Sequence, residues 1–274
     1  MKKIMKQLIM ISVILFVFGS SVSAETYPNQ PIHWGFKKAS DGRPAEAGQE
    51  WDELIEKHGA YYKGDPNKMD IYLTFDNGYE NGYTEKILDV LKKEKVPAAF
   101  FVTGHYLESA PKLVKRMVKE GHIVGNHSWH HPDLTQVSDE RLKEELEKVK
   151  VKTEELTGVK TMDYIRPPRG IFSERTMALA NDQGYKHIFW SLAFIDWKTD
   201  QQKGAQYSYA NIMKQIHPGA ILLLHTVSKD NADALESVIK DLKKQGYKFK
   251  SLDDLTNKTK QEKKPKKTKK QKKN

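Results

Sequence analysis

No cysteine occurs among the 274 residues. Its absence excludes disulfides, thiolate metal sites and a lipid-bearing cysteine behind an export signal, and it fits a secreted protein of a cell that avoids disulfides. Internal repeats are absent as well. Most of the chain even lacks the positive charge that its totals suggest, 46 lysines and arginines against 36 acidic residues. Three lysines precede residue 24, and ten lysines with one glutamate follow residue 256. Without these two ends, 33 basic residues face 35 acidic ones, a net charge near −2. The body is a near-neutral domain of about 230 residues, long enough for one sizeable core.

The two ends read separately. Lys2, Lys3 and Lys6 precede the apolar run LIMISVILFVFG, which leads into SSVSA and ends at Ala24. A basic start, a short apolar stretch and small residues at Val22 and Ala24 describe a secretory signal peptide over residues 1–24. A retained anchor is the alternative, although the run is short for a span. The other end, NKTKQEKKPKKTKKQKKN over residues 257–274, has no apolar residue and is expected to be a disordered tail. The export signal argues against nucleic acid as its partner. Anionic wall polymers or a membrane surface suit it instead, as does a role only in solubility. The expected location is extracytoplasmic, at the cell wall or membrane surface.

Between these ends, residues 25–68 are rich in Pro, Gly, Trp and Tyr without sustained periodicity. They read as an N-terminal wrap carrying a short helix at Glu50–His58. Its stretch IHWGF (Ile32 to Phe36) reads as packing, with a cleft wall as a further use. From residue 69 to 256 strand and helix signals alternate. Strands are expected at Met69–Phe75, Pro97–Gly104, His122–His127, near Tyr164, at Lys186–Ser191, Ile221–Leu224 and Tyr247–Lys250. Helices are expected at Tyr83–Glu94, Ala110–Glu120, Ser138–Leu156, Glu174–Gln183, Tyr209–Ile216 and Ala232–Gln245, with a short last one from Leu252. Ser138, Asp139 and Glu140 suit a helix start, and Gly121 and Gly158 suit helix stops. Repeated βα units imply an α/β fold with a parallel sheet, open or closed into a barrel.

Five of these strands deliver an ionisable residue near their carboxyl ends. Asp76 follows IYLTF, and Asn126, His127 and His131 follow HIVG. Arg166 and Arg169 lie in RPPRG, Asp196 follows IFWSLAFI, and His225 follows ILLL. Barrels and open α/β sheets place their chemistry at those ends. Each residue also admits a plain structural reading. Asn77-Gly78 is a hairpin signal, but a helix rather than a pairing strand follows it. His127 and His131 lie four apart, a spacing that on one helical turn lets two imidazoles share a metal, although Pro132 ends any helix there. His130 is expected to point elsewhere. Asp196 could cap a turn, and Arg166 could pair with a buried carboxylate.

TFDNG (Thr74 to Gly78), HSWHH (His127 to His131), RPPRG (Arg166 to Gly170), DW (Asp196, Trp197) and LLHT (Leu223 to Thr226) stand in the order of the five motifs of polysaccharide deacetylases. The chain therefore resembles the NodB-homology domains of carbohydrate esterase family four over roughly Asp70 to Leu255. The IHWGF and RPPRG segments look like its PdaA-type branch, which acts on N-acetylmuramic acid in peptidoglycan on the way to the muramic δ-lactam of spore cortex. The resemblance implies a distorted (β/α) barrel of about seven units. It implies that Asp76 is the base activating water and that His225 is the acid protonating the departing amine. It also implies that Asp196 orients His225, that Arg166 positions Asp76, and that His127 and His131 hold a divalent metal such as zinc. Such groups can supply a nucleophilic water, an oxyanion sink and a proton for the amine.

Two positions depart from the family pattern. Asn77 stands where an aspartate usually supplies a third metal ligand, so weaker metal binding is expected, and metal-free catalysis by Asp76 and His225 stays open. Arg169 and Gly170 stand where many relatives carry a bulky aromatic. Arg169 could bind the lactyl carboxylate of peptide-stripped muramic acid bidentately, with Trp197 beside the substrate; a purely structural arginine is the alternative. Two other readings compete with the muramic acid deacetylase: a deacetylase of N-acetylglucosamine polymers, and a wall-binding protein with a decayed site.

Overall fold

The computed structural model describes residues 27–40 and 43–256. The expected signal segment at 1–24 and lysine tail at 257–274 lie outside the described residues. The first half of the chain forms β1 (Ile32–His33), α1 (Gln49–Lys57), β2 (Asp70–Asn77), α2 (Thr84–Glu94), β3 (Ala99–Val102), α3 (Gly104–Ser109), α4 (Pro111–Lys119) and β4 (Ile123–Asn126). The second half forms α5 (Asp139–Thr157), β5 (Tyr164–Ile165), β6 (Ile171–Phe172), α6 (Glu174–Asp182), β7 (Lys186–His187), α7 (Ala205–Gln215), β8 (Ile221–His225), α8 (Lys229–Lys244) and β9 (Lys248–Phe249).

Six strands lie in the order β7-β5-β4-β3-β2-β8, all parallel, and β9 pairs with the start of β2. The result is a curled (β/α) half-barrel wrapped by helices, in keeping with the expected distorted barrel. Across the seam between β7 and β8 the ladder thins to single bridges. Leu192 meets Leu222, while Tyr61 and Lys63 of the N-terminal wrap meet Ile188 and Ala220. The wrap thus fills a gap that the short β7 leaves open.

Period-two alternation along β2 sets the two layers. Ile71, Leu73 and Phe75 pack outward on helix residues such as Leu88, Leu91, Leu146 and Leu235. Tyr72 turns inward, among Phe101, Tyr164, Ile188, Ile221 and Leu252. Thr74 and Asp76 follow it on the inner face. Burying one large apolar side chain contributes roughly 1.5–3 kcal/mol, so the outer face fixes the strand's register. A slip of one residue would turn Asp76 away from the interior.

Some boundaries differ from the sequence reading. The strand expected to run to Gly104 stops at Val102, because the Thr103 side chain accepts from Tyr106 N and starts α3. Gly104 is needed there, since a Cβ on it would lie 2.3 Å from the Trp129 ring. Pro111 then opens α4. Both α7 and α8 begin before the expected residues; Ser228 caps α8 by accepting from Asn231 N. The start and stop of α5 match expectation, with Ser138 accepting from Arg141 N and Gly158 left-handed at φ 76°.

Candidate active site

At the carboxyl end of the sheet, Asp76 on β2 and His225 on β8 are register partners on adjacent strands. Asp76 is buried, and its Oδ1 accepts from Arg166 Nη1 at 2.7 Å. The rest of that guanidinium is spoken for. Nη2 donates to Thr74 Oγ1 at 2.8 Å and Nε to the Ile188 carbonyl at 3.0 Å, with the Phe101 ring 4.3 Å away. Arg166 is wholly buried, so its charge depends on this set of partners. Burial raises the Asp76 carboxyl, but the Arg166 guanidinium, with the His225 imidazolium, outweighs it and holds the group below the ordinary carboxylate value. Asp76 is therefore ionised at neutral pH, with Oδ2 left outside the arginine pair.

His225 is held from the opposite side. Its Nδ1 lies 2.7 Å from Asp196 Oδ1, and its backbone N–H donates to Asp196 Oδ2 at 2.8 Å. Asn231 Nδ2 donates to the same Oδ2 at 2.5 Å. Burial lowers the imidazole's pKa, but the Asp196 carboxylate overcomes this and raises it above the ordinary histidine value. With Nδ1 engaged, Nε2 is the nitrogen available for proton transfer.

His127 and His131 converge, with ring centroids 4.8 Å apart. They do so without the helical turn that their spacing suggested. Ser128 and His131 are left-handed, at φ 61° and 58°, so a coiled loop brings the rings together. His127 Nδ1–H donates to the Arg166 carbonyl at 2.8 Å, which leaves the Nε2 lone pair 3.4 Å from Asp76 Oδ2. Burial, with His127 alongside, lowers the His131 pKa to about 4, so both rings are neutral donors near pH 7. His130 turns the other way, as expected, onto the wholly buried Glu145 carboxylate.

Asn77 ends β2 next to Asp76 and is wholly buried. Its Nδ2 donates to Thr226 Oγ1 at 2.8 Å, and its Oδ1 is buried without a hydrogen-bond partner. Two neutral imidazoles and an orphaned amide oxygen fit a divalent cation held without a carboxylate of its own. No group of three His, Cys, Asp or Glu side chains is arranged to hold a metal among the described residues.

These groups open on a cavity of about 410 Å³ whose wall includes Asp76, His127, His131, His225, Tyr79, Arg169, Trp190 and Trp197. Trp197 is half exposed, its ring 5.4 Å from His225. Arg169 is exposed and left-handed at φ 57°, followed by Gly170 at φ 66°. A Cβ at Gly170 would lie 2.7 Å from the Trp190 ring, so this turn admits no larger residue. The IHWGF segment supports it from behind. Trp34 N donates to Gly170 O at 2.8 Å, Trp34 Nε1 donates to Trp190 O at 3.0 Å, and the ring stacks on Phe189. Asp76, His127, His131, Arg169, Trp197 and His225 thus line the cavity, and Arg166 and Asp196 bond directly to Asp76 and His225. Sequence reasoning missed Thr74, Trp190 and Asn231. Thr74 could have been found from its place two residues before Asp76 on the same strand face; the other two carry no local signal.

A family model described as polysaccharide deacetylase matches residues 63–188. The peptidoglycan-N-acetylmuramic acid deacetylase PdaA of Bacillus subtilis (strain 168) is 54% identical over 237 residues, covering 86% of this chain and 90% of its own. The chain belongs to the polysaccharide deacetylase family. The solved structure of Bacillus subtilis PdaA, a family 4 carbohydrate esterase, superposes on this deacetylase with a TM-score of 0.83, covering 85% of this chain and 99% of that one. An uncharacterised 30.6 kDa protein of Geobacillus stearothermophilus is 66% identical over 89% of this chain and 92% of its own. A peptidoglycan-N-acetylglucosamine deacetylase of Bacillus cereus is 31% identical over 89% of this chain and 88% of its own. The deacetylase is thus an amide hydrolase of family four, whose members are generally metalloenzymes.

Proposed function

We propose that this exported peptidoglycan deacetylase removes the acetyl group from N-acetylmuramic acid once the stem peptide is gone, on the way to muramic δ-lactam. The observation that carries the choice of sugar is Arg169. Its guanidinium stands on the cavity wall and makes no hydrogen bond or ion pair among the described residues. Peptide-stripped muramic acid offers a lactyl carboxylate, which glucosamine lacks, and a guanidinium fork matches a carboxylate. The 54% identity to a protein named for that activity supports the same reading.

The mechanism follows from the two charge-held pairs. Asp76, ionised through Arg166, takes a proton from water, and the water oxygen attacks the acetyl carbonyl carbon. His225, kept protonated by Asp196, gives its Nε2 proton to the amide nitrogen as the C–N bond breaks, releasing acetate and the free amine. His127 Nε2 and His131 would hold a divalent cation, with the Asn77 amide oxygen as the neutral third donor. A cation held there would supply positive charge near the acetyl oxygen and acidity to the attacking water.

The test is to incubate the protein with glycan strands, reduce and digest the product, and identify the deacetylated sugar by mass. Loss of acetyl from muramic acid is expected. Loss from glucosamine alone would establish the competing specificity, and no loss on any strand would favour a wall-binding protein.

A further inference from the structure

Asn231 belongs to the first turn of α8, not to a strand end, yet its side chain reaches the active site. The Ser228 cap accepts from Asn231 N at 3.2 Å and fixes its backbone. The residue is buried. Its Nδ2 donates to Asp196 Oδ2 at 2.5 Å and to the His225 carbonyl at 3.3 Å, while its Oδ1 accepts from Ser208 Oγ of α7 at 2.8 Å. A carboxylate and a carbonyl can only accept, so the amide nitrogen must face them and the amide oxygen must face Ser208.

Three donors meet the Asp196 carboxylate. Oδ1 takes His225 Nδ1–H, and Oδ2 takes His225 N–H and Asn231 Nδ2–H. Two of the three come from His225 itself. Without Asn231, Asp196 would be held only by the residue that it has to orient. The rest of the same helical turn grips the backbone on either side. Ser228 Oγ donates to Gln202 Oε1 at 2.9 Å, and Gln202 Nε2 donates to the Asp196 carbonyl at 3.2 Å. Asp230 Oδ2 accepts from Lys203 N and Gly204 N, at 2.6 and 2.9 Å, which commits that carboxylate to the loop. The charges acting on the imidazole are then those of Asp196, Asp76 and Arg166. His127 and His131, both neutral, and Arg169 share its cavity wall.

We propose that Asn231 is a positioning residue for the proton donor: its amide fixes the Asp196 carboxylate so that Oδ1 meets His225 Nδ1 and leaves Nε2 for the departing nitrogen. This role rests on His225 being the acid of the reaction. An aspartate at 231 could not fill it, since two carboxylates would then meet with no proton between them.

The test compares Asn231→Leu, which removes both ends of the amide at similar size, with Val238→Ala, a core truncation further along the same helix. Asn231→Leu should lower kcat about tenfold or more, the scale of a misaligned catalytic group. KM should change little, and the alkaline limb of the pH profile should move to lower pH. Val238→Ala should melt earlier yet keep the wild-type kcat and limb. In an Asp196→Asn background, Asn231→Leu should cost little more, because the two act through one contact. Ser208→Ala, which removes only the hydroxyl that orients the amide, should show the same changes on a smaller scale. It replaces Asn231→Leu in the comparison if a circular dichroism melt shows that variant unfolded, and wild-type kinetics in it would then overturn the proposal. Full additivity with Asp196→Asn, or a loss of kcat no larger than that of Val238→Ala, would overturn the role of Asn231 alone. A wild-type limb in Asp196→Asn would instead overturn the assignment of His225 as the acid, and the role of Asn231 with it.

Discussion

The Arg166 guanidinium reaches Asp76 through Nη1 at 2.7 Å and occupies only one carboxylate oxygen, leaving the other 3.4 Å from His127 Nε2. The pair is internal, so neither charge can turn to solvent when the other is removed. Arg166→Gln should lower kcat/KM by about a hundredfold or more and destabilise the fold by about 3–5 kcal/mol, the usual cost of breaking a buried ion pair. Arg166→Lys should recover little, because an ammonium cannot serve Asp76, Thr74 and the Ile188 carbonyl at once. Kinetics together with denaturant unfolding check both statements.

Asp76→Asn should melt earlier than wild type, because it leaves Arg166 buried without its counter-ion. Where still folded, it should lose kcat by about 10²–10⁴, the usual contribution of a general base. Its KM should change far less. A circular dichroism melt alongside the kinetics separates loss of chemistry from loss of structure.

His225 sets the alkaline limb of the pH profile. Its pKa lies above the ordinary 6.5 because Asp196 outweighs burial. The protonated form does the work, so kcat should hold below that raised value and fall as pH rises through it. The stabilisation from the ion pair follows the same sign: complete below the unfolded histidine's pKa, and lost as pH rises through the folded one. Asp196→Asn leaves only the weaker pull of Asp76 against burial, so the limb should move to lower pH and kcat should drop. A limb that stays in place would mean that another group titrates there.

Asn77→Asp adds a carboxylate to the donor set proposed with His127 and His131. Calorimetric affinity for a divalent cation should rise about tenfold or more from the added charge. Without metal the variant should melt earlier than wild type, because a carboxylate would be buried against Thr226 with no counter-ion. Exhaustive chelation of the wild type should abolish activity, and added cation should restore it.

Arg169→Ala should lose about 10- to 100-fold in kcat/KM on peptide-stripped muramic strands, the worth of about 1.5–3 kcal/mol for hydrogen bonds to a charged group. On chitin oligomers, which have no lactyl carboxylate, the loss should stay within about threefold, the scale of an exposed charge. Parallel assays on the two substrates make the comparison.

The site was legible in the sequence because a parallel strand ends where its apolar run ends, so an ionisable residue after such a run marks the chemical end of the sheet. Asp76 and His225 were readable on that ground alone. What the sequence hid depends on nonlocal packing. Spacing suggested that His127 and His131 meet on a helical turn; the rings do converge, but through a left-handed loop. The partner of Asn77 could not be read, because Thr226 is 149 residues away. The short α3 was missed because a threonine cap ended an apolar run that otherwise read as strand. The helices were plainer, their amphipathic stripes and caps being local.

The proposed specificity turns on which sugar loses its acetyl group, and on whether the stem peptide must go first. The decisive measurement is acetate released per muramic acid residue from glycan strands, with and without prior amidase treatment, for wild type and for Asp76→Asn. Release by the wild type that depends on the amidase and is lost in the variant is the predicted result. Release from intact strands at the same rate, or from strands of glucosamine alone, would contradict it.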